Sequence, residues 1–203
     1  MSGMVVEGSE DTGIKGTAIR EFLAWYARTR GETTVRRVIE DLPRDVRSWF
    51  DPEHEALGVL ASTWYPARAI HALLDAMTTG MTVDERERFA AEGGETVMRN
   101  TLSGIYRALF RVIANPDRYA KMAPKVWHTY YRSGQLTVER PGEGRAVSHI
   151  RDWGSHHPVI CEMHRAAARV IYEGMGCRDV SVTREACVSR GDDECRFATR
   201  WRA

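Results

Sequence analysis

The sequence predicts an α+β domain, with a helical N-terminal two thirds packed on a small antiparallel sheet of two hairpins separated by a helix. Three observations predict it. Apolar residues recur at helical spacing from about residue 17 to about 134. Beyond Gly134 the period falls to two on either side of the turn Pro141-Gly142-Glu143-Gly144. One further helical stretch, from Pro158 to about Tyr172, then separates that hairpin from a second one at the C-terminus. No repeat, low-complexity tract or linker divides the 203 residues, so 1–203 reads as a single domain.

Each element has its own signal. Ile19, Phe22, Leu23 and Tyr26 make one apolar helix face, and Gly31 supplies a stop. Val35, Val38, Ile39 and Leu42 repeat the pattern until Pro43, after which a short turn carries Val46, Trp49 and Phe50. Pro66 suits the first turn of a helix that buries Ile70, Leu73, Leu74 and Met77. Thr82 and Glu85 form a capping box for the helix that begins there. Ile105, Leu109, Val112 and Ile113 mark another helix, closed near Asn115-Pro116. Tyr119, Met122, Val126, Trp127 and Tyr130 mark the next, which Pro124 is expected to kink or divide. Leu136 and Val138 pair across the turn with Ala146 to Ile150. The last hairpin joins Val180–Val188 to Cys195–Trp201 through Ser189-Arg190-Gly191-Asp192-Asp193-Glu194.

Composition excludes more than it names. The chain is 43% hydrophobic and 28% charged, a globular balance. Its 29 basic and 28 acidic side chains nearly cancel, which argues against nucleic acid as a partner. No apolar run approaches the roughly 20 residues of a membrane span, and the N-terminus lacks the pattern of a secretory signal. A cytoplasmic protein is expected. No nucleophile elbow, phosphate-cradling loop, HExxH motif or dinucleotide fingerprint is present, so nothing in the sequence supports an enzyme.

The informative feature is a group of cysteines. Cys161, Cys177, Cys187 and Cys195 all fall in the last 43 positions. If the final hairpin is centred near Gly191, Cys187 and Cys195 face one another, with Cβ atoms about 4.5–5.5 Å apart. Cys161 and His164 are three apart on the preceding helix and can share a face. Cys161, His164, Cys187 and Cys195 would together make a set suited to structural zinc. Plain core packing of small residues and a disulfide between Cys187 and Cys195 are the other readings of the same thiols.

His156 and His157 precede the Pro158 helix, where they read as a solvated loop with a polar cap; adjacent histidines rarely share one centre. His128 sits among aromatics, an arrangement that either a haem-ligating or an amphipathic surface histidine would have, and haem is not expected. Trp64-Tyr65-Pro66 and Trp127-His128-Thr129-Tyr130-Tyr131 are the densest aromatic clusters. Large rings with polar tips line pockets as well as cores, so Trp64, Tyr65, Trp127 and Tyr130 are the candidate ligand-binding residues.

The segment from Cys187 to Phe197, with its Gly191-Asp192 turn and Cys195-Arg196-Phe197, resembles the closing hairpin of the 4-vinyl-reductase domain. The resemblance implies the fold shared with trafficking-complex subunits and the haem nitric-oxide sensors, and small-ligand sensing, commonly in dimers. In the aromatic-responsive regulators of that family a zinc site uses cysteines at positions matching Cys161, Cys187 and Cys195 plus an acidic residue. Asp152 and Glu162 are the acidic candidates here, with His164 as a substitute. Over nearly its whole length the chain also resembles an uncharacterised myxobacterial family, a domain of unknown function. Ile14-Lys15-Gly16, Trp64-Tyr65-Pro66, the Trp127–Gly134 segment and the Cys187–Trp201 end carry that likeness.

The expectation is therefore a sensory or signalling module that binds a small apolar or aromatic ligand without turnover, as a homodimer. The alternatives are a dimeric interaction scaffold without a ligand, a haem sensor using His128, His156 or His157, and a tetrapyrrole vinyl reductase.

Overall fold

Residues 12–103 and 115–202 are described by a computed structural model of the chain. Helix α1 (Gly16–Arg30) buries Ile19, Phe22, Leu23 and Tyr26 and stops at Gly31, whose φ of 78° suits glycine. Helix α2 (Glu32–Glu40) turns Val35, Val38 and Ile39 inward, and the short α3 (Arg44–Arg47) follows Pro43. Helix α4 (Ala67–Met77) buries Ile70, Leu73 and Leu74 completely. Burial of side chains of this size contributes about 1.5–3 kcal/mol each.

Thr82 opens α5 (Val83–Ser103): its Oγ1 accepts the Glu85 N–H at 3.3 Å, and the Glu85 carboxylate accepts the Thr82 N–H at 2.8 Å. The helix expected through Ile105, Leu109, Val112 and Ile113 lies outside the described residues. Asn115 opens the next helix. Its side chain accepts the Arg118 N–H at 2.8 Å, with Pro116 at the first helical position. Helix α6 (Pro116–Tyr130) runs through Pro124 as one element, contrary to the expected division. Tyr119, Ala123 and Trp127 form one buried face on both sides of the proline, and this packing holds the helix together despite the missing N–H.

Strands β3 (Gln135–Gly142) and β4 (Arg145–Arg151) form the first hairpin, helix α7 (Pro158–Gly174) follows, and β5 (Arg178–Ala186) and β6 (Cys195–Arg202) form the second. The sheet order β3-β4-β6-β5 places β4 and β6 in the middle, so the two hairpins make one antiparallel sheet. Its register sets Ile150 opposite Cys195 and Ser148 opposite Phe197. Side chains alternate across a strand, so these four share one face. The fold is α+β.

A small second sheet has no signal in the local sequence pattern. Strand β1 (Gly13–Lys15) pairs antiparallel with β2 (Trp64–Pro66), placing Ile14 opposite Tyr65 and Lys15 opposite Trp64. Ile14 also bridges to Tyr131, and the Arg132 N–H donates to the Gly13 carbonyl at 3.1 Å. Three of the short motifs that carry the family likeness thus meet at one place. Among the described residues, no helix is long and apolar enough to cross a membrane.

Candidate ligand cavity and thiol centre

Three sulfurs and one imidazole converge beside β6. Cys195 Sγ lies 3.5 Å from both Cys161 Sγ and Cys187 Sγ, and 3.4 Å from His156 Nδ1. Cys161 Sγ lies 3.7 Å from the same Nδ1. Zinc bonds of about 2.3 Å to sulfur and about 2.05 Å to nitrogen, set at tetrahedral angles, give edges of about 3.8 and 3.5 Å. These four spacings are close to those edges. His156, Cys161 and Cys195 have donor atoms all within 4.8 Å of one another, and Cys187 adjoins them through Cys195.

Local structure explains the convergence. Cys161 stands in the first turn of α7, and Cys195 opens β6. Cys187 directly follows the second hairpin's first strand, fixed by an N–H bond to the Asp192 carboxylate at 2.7 Å and by the Arg190 N–H on its carbonyl at 2.8 Å. Ser189 Oγ lies 2.9 Å from Cys187 Sγ. The Cys161 and Cys195 thiols, helped by Ser189, hold the Cys187 thiol well below its ordinary range. The same contacts and burial push Cys161 up. Burial keeps His156 below the ordinary histidine range, and a neutral imidazole is the form that binds metal.

His164 is not part of this centre. Its Nε2 lies 2.8 Å from the Tyr131 hydroxyl, on the cavity side of α7. The acidic candidates are elsewhere too: Glu162 is paired with Arg165 and Arg184, and Asp152 is exposed. The fourth donor is His156, which the sequence reading assigned to a loop. His157 does act as the cap expected there, accepting the Val159 N–H at 3.2 Å. Cys177 packs in a separate small core cluster with Tyr119 and Tyr172.

A cavity of about 260 Å³ lies between α1, α5, α6, α7 and the inner face of the sheet. Val97 and Met98 of α5, Val126 of α6, Ile160 and Met163 of α7, and Leu136, Ile150 and Phe197 of the sheet supply its apolar walls. Its polar groups include the hydroxyls of Thr17, Thr101, Ser148, Tyr119, Tyr130 and Tyr131, the Trp127 indole and the His164 imidazole, and no acidic or basic chain other than His164 is among its described lining residues. Burial pushes the His164 pKa down to about 4, so the imidazole is neutral at neutral pH.

Of the four candidate ligand-binding residues, Trp127 and Tyr130 line the cavity and Trp64 and Tyr65 do not. Trp64 belongs to β2, where Lys15 and Arg132 stack on its ring, with the charge centres 5.6 and 4.9 Å from the centroid. Tyr65 is buried against Trp49 and accepts the Leu60 N–H at 2.8 Å. Neighbours in β2 point to opposite faces, and neither ring lines the cavity: Trp64 meets Lys15 and Arg132, and Tyr65 meets Trp49. His128, the first haem candidate, is exposed on α6.

No protein-family model and no curated protein matches this chain. Solved structures do. The Fe(II) unliganded H-NOX protein from K. algicida is 11% identical, covers 94% of this chain and 97% of its own, and superposes with a TM-score of 0.68. The S. oneidensis H-NOX protein in its Fe(II)NO ligation state is 9% identical over 94% of this chain and 100% of its own, at a TM-score of 0.65. A mutant of the T. tengcongensis H-NOX protein is 10% identical over 94% and 98%, at 0.64. A further match, described by the modulation of heme redox potential through porphyrin distortion, reaches 0.59. These likenesses show that the chain has the H-NOX fold.

That finding corrects the expectation against haem, because proteins of this fold are described with Fe(II) and heme. Within the cavity the described residues present one imidazole, His164, whose Nδ1 is buried without a hydrogen-bond partner. A neutral imidazole with an unpaired nitrogen has the chemistry of an iron ligand.

Proposed function

We propose that this protein is a sensory module that binds a small uncharged molecule in the cavity and a zinc ion at Cys161, Cys187, Cys195 and His156. The cavity carries the ligand reading: its walls are mainly apolar, and its polar groups are hydroxyls, the Trp127 indole and one neutral imidazole. Burying an ion there would leave its charge uncompensated, so the walls favour an apolar or aromatic molecule with few polar atoms. Four protein donors would complete a tetrahedron once Cys187 closes on the His156–Cys161–Cys195 group, leaving no position for substrate, so the role assigned to the metal is structural. Binding without turnover is what these two sites support.

Native mass spectrometry and metal analysis of the purified protein test this reading together. About one zinc per chain, lost in Cys195→Ser and His156→Ala, supports the metal centre, and retention of metal by both variants overturns it. A co-purified small molecule released on denaturation supports the cavity.

A second reading has one specific observation in its favour, the unpartnered Nδ1 of His164 in the wall of a cavity of this fold. On that reading His164 would hold a haem, whose iron would supply a centre that binds a small molecule. Tyr131 would orient the imidazole through Nε2, and the apolar walls would exclude water. A Soret band in the purified protein that is lost in His164→Ala supports it, and a protein that shows no such band after incubation with hemin overturns it.

A further inference from the structure

The cavity and the thiol centre are not separate in the fold. Cys161 and His164 stand one turn apart on α7, the first among the sulfurs and the second in the cavity wall. Cys195 pairs across the sheet with Ile150, which lines the cavity, and lies two residues from Phe197, which lines it as well. The fourth donor is connected through a ring. Trp153 is 2% exposed, with its centroid 4.8 Å from that of His156, 5.4 Å from that of His164 and 4.9 Å from that of Tyr131. A Cβ at Gly134 would lie 2.4 Å from the Trp153 Cβ, so the turn after α6 closes tightly on this residue. Trp153 therefore has little room to move without displacing a metal donor or a cavity wall.

We propose that occupancy of the cavity raises the affinity of the thiol centre for its metal, and that Trp153 and the first two turns of α7 carry the coupling. The proposal rests on the two-site reading above and assigns a regulatory relation between its sites. A molecule in the cavity presses on His164 and Tyr131, and through them on Trp153 behind the wall. That support holds His156 and Cys161 at the spacing the metal needs, which reduces the ordering left for the metal to impose. Linkage then requires the reverse: a bound metal tightens the cavity's hold on its ligand by the same factor.

The test uses the full chain with cobalt(II) as a visible substitute for zinc and benzene as a neutral apolar probe of the cavity. Cobalt affinity is measured by chelator competition, read from thiolate-to-cobalt absorption, with and without saturating benzene. Benzene binding is followed separately by NMR shifts of the Met98 and Met163 methyl groups. The expected result is a rise in cobalt affinity of about fivefold or more, at the lower end of known couplings, falling below about twofold in Trp153→Phe. Benzene binding with unchanged or lowered cobalt affinity overturns the coupling and leaves both sites standing. Absence of benzene binding, or of cobalt binding, overturns the coupling together with the corresponding site. Should Trp153→Phe fail to fold by circular dichroism, Ala168→Leu replaces it. A side chain that fills part of the cavity should itself raise cobalt affinity without benzene, and an unchanged affinity again overturns the proposal.

Discussion

Trp153 lies between His156 and His164, its ring in edge contact with the first at 4.8 Å and tilted against the second at 5.4 Å. One indole thus separates a candidate metal donor from a cavity wall. Two histidines on either side of the α7 N-terminus have opposite roles because of it: His156 faces sulfur, and His164 faces the Tyr131 hydroxyl.

The four cysteines should differ sharply when replaced by serine. Cys195 contacts both other sulfurs and the His156 nitrogen, so Cys195→Ser should lower metal affinity most. Cys177 lies in the second core cluster, and Cys177→Ser should leave the metal content unchanged. Metal analysis after dialysis ranks the variants. Removal of the metal from the unaltered protein by a strong chelator should lower its melting temperature, since metal bound only by the folded chain stabilises it.

Glu162 offers a test of the packing behind Cys161. It is 3% exposed, and its carboxyl is held between Arg165 and Arg184. Arg184 also reaches Glu87 at 2.9 Å, and Arg190 of the hairpin turn reaches the same carboxylate at 2.7 Å. The network ties α5, α7 and the Cys187 hairpin together. Glu162→Ala removes the shared anion and leaves Arg184 partly uncompensated in a desolvated place, which should cost about 3–5 kcal/mol. Urea denaturation measures it, and a loss below about 1 kcal/mol would show that Glu87 alone suffices.

Gly134 occupies a position that no other residue fits. Its φ is 72°, and a Cβ there would come within 2.4 Å of Trp153 Cβ and 2.9 Å of the Arg151 carbonyl. Gly134→Ala combines left-handed strain with overpacking, each costing about 1–3 kcal/mol. Near-ultraviolet circular dichroism should show the Trp153 signal altered along with the lowered stability.

The helices were readable because each buries one stripe, and the stripe repeats within the element itself. The sheet was readable for a related reason: Gly134 and the Pro141–Gly144 turn bracket a change of period. The hairpin register brought Cys187 near Cys195, while Cys161 entered from the helix before it and from the family resemblance. What local pattern could not carry was direction. Trp64 and Tyr65 look like pocket residues by their density, but β2 pairs with the distant strand β1, and their neighbours are residues remote in sequence or of another turn: Lys15 and Arg132 for Trp64, Trp49 for Tyr65. His156 was concealed by its neighbour. With Pro158 at the first helical position, His157 falls at the cap and is used there. Its ring was therefore committed and that of His156 was not, a signal the sequence did contain. Cys161 and His164 do share a helix, but the three-residue step rotates one toward the sulfurs and the other toward Tyr131.

His164 should make stability depend on pH. Burial pushes its pKa in the folded protein down to about 4, against an ordinary 6.5. Above about pH 7 the imidazole is neutral in both folded and unfolded chains and adds no dependence. Between pH 6.5 and 4 the unfolded chain takes up a proton that the folded chain refuses, so stability falls as pH falls. The gap between the two values corresponds to about 3 kcal/mol once pH 4 is reached. His71, His156 and His157 are shifted in the same direction by burial and add to the loss. His164→Gln keeps a polar group within reach of Tyr131 and removes the titration. Unfolding free energies from urea denaturation at about pH 7 and about pH 4.5 should therefore differ less in the variant than in the unaltered protein, by about 2 kcal/mol. Acid also strips a thiolate-bound metal from both proteins alike, and the comparison cancels that contribution. Equal losses in the two proteins would mean that His164 takes up its proton without leaving the fold, and that the cavity admits enough water to solvate it.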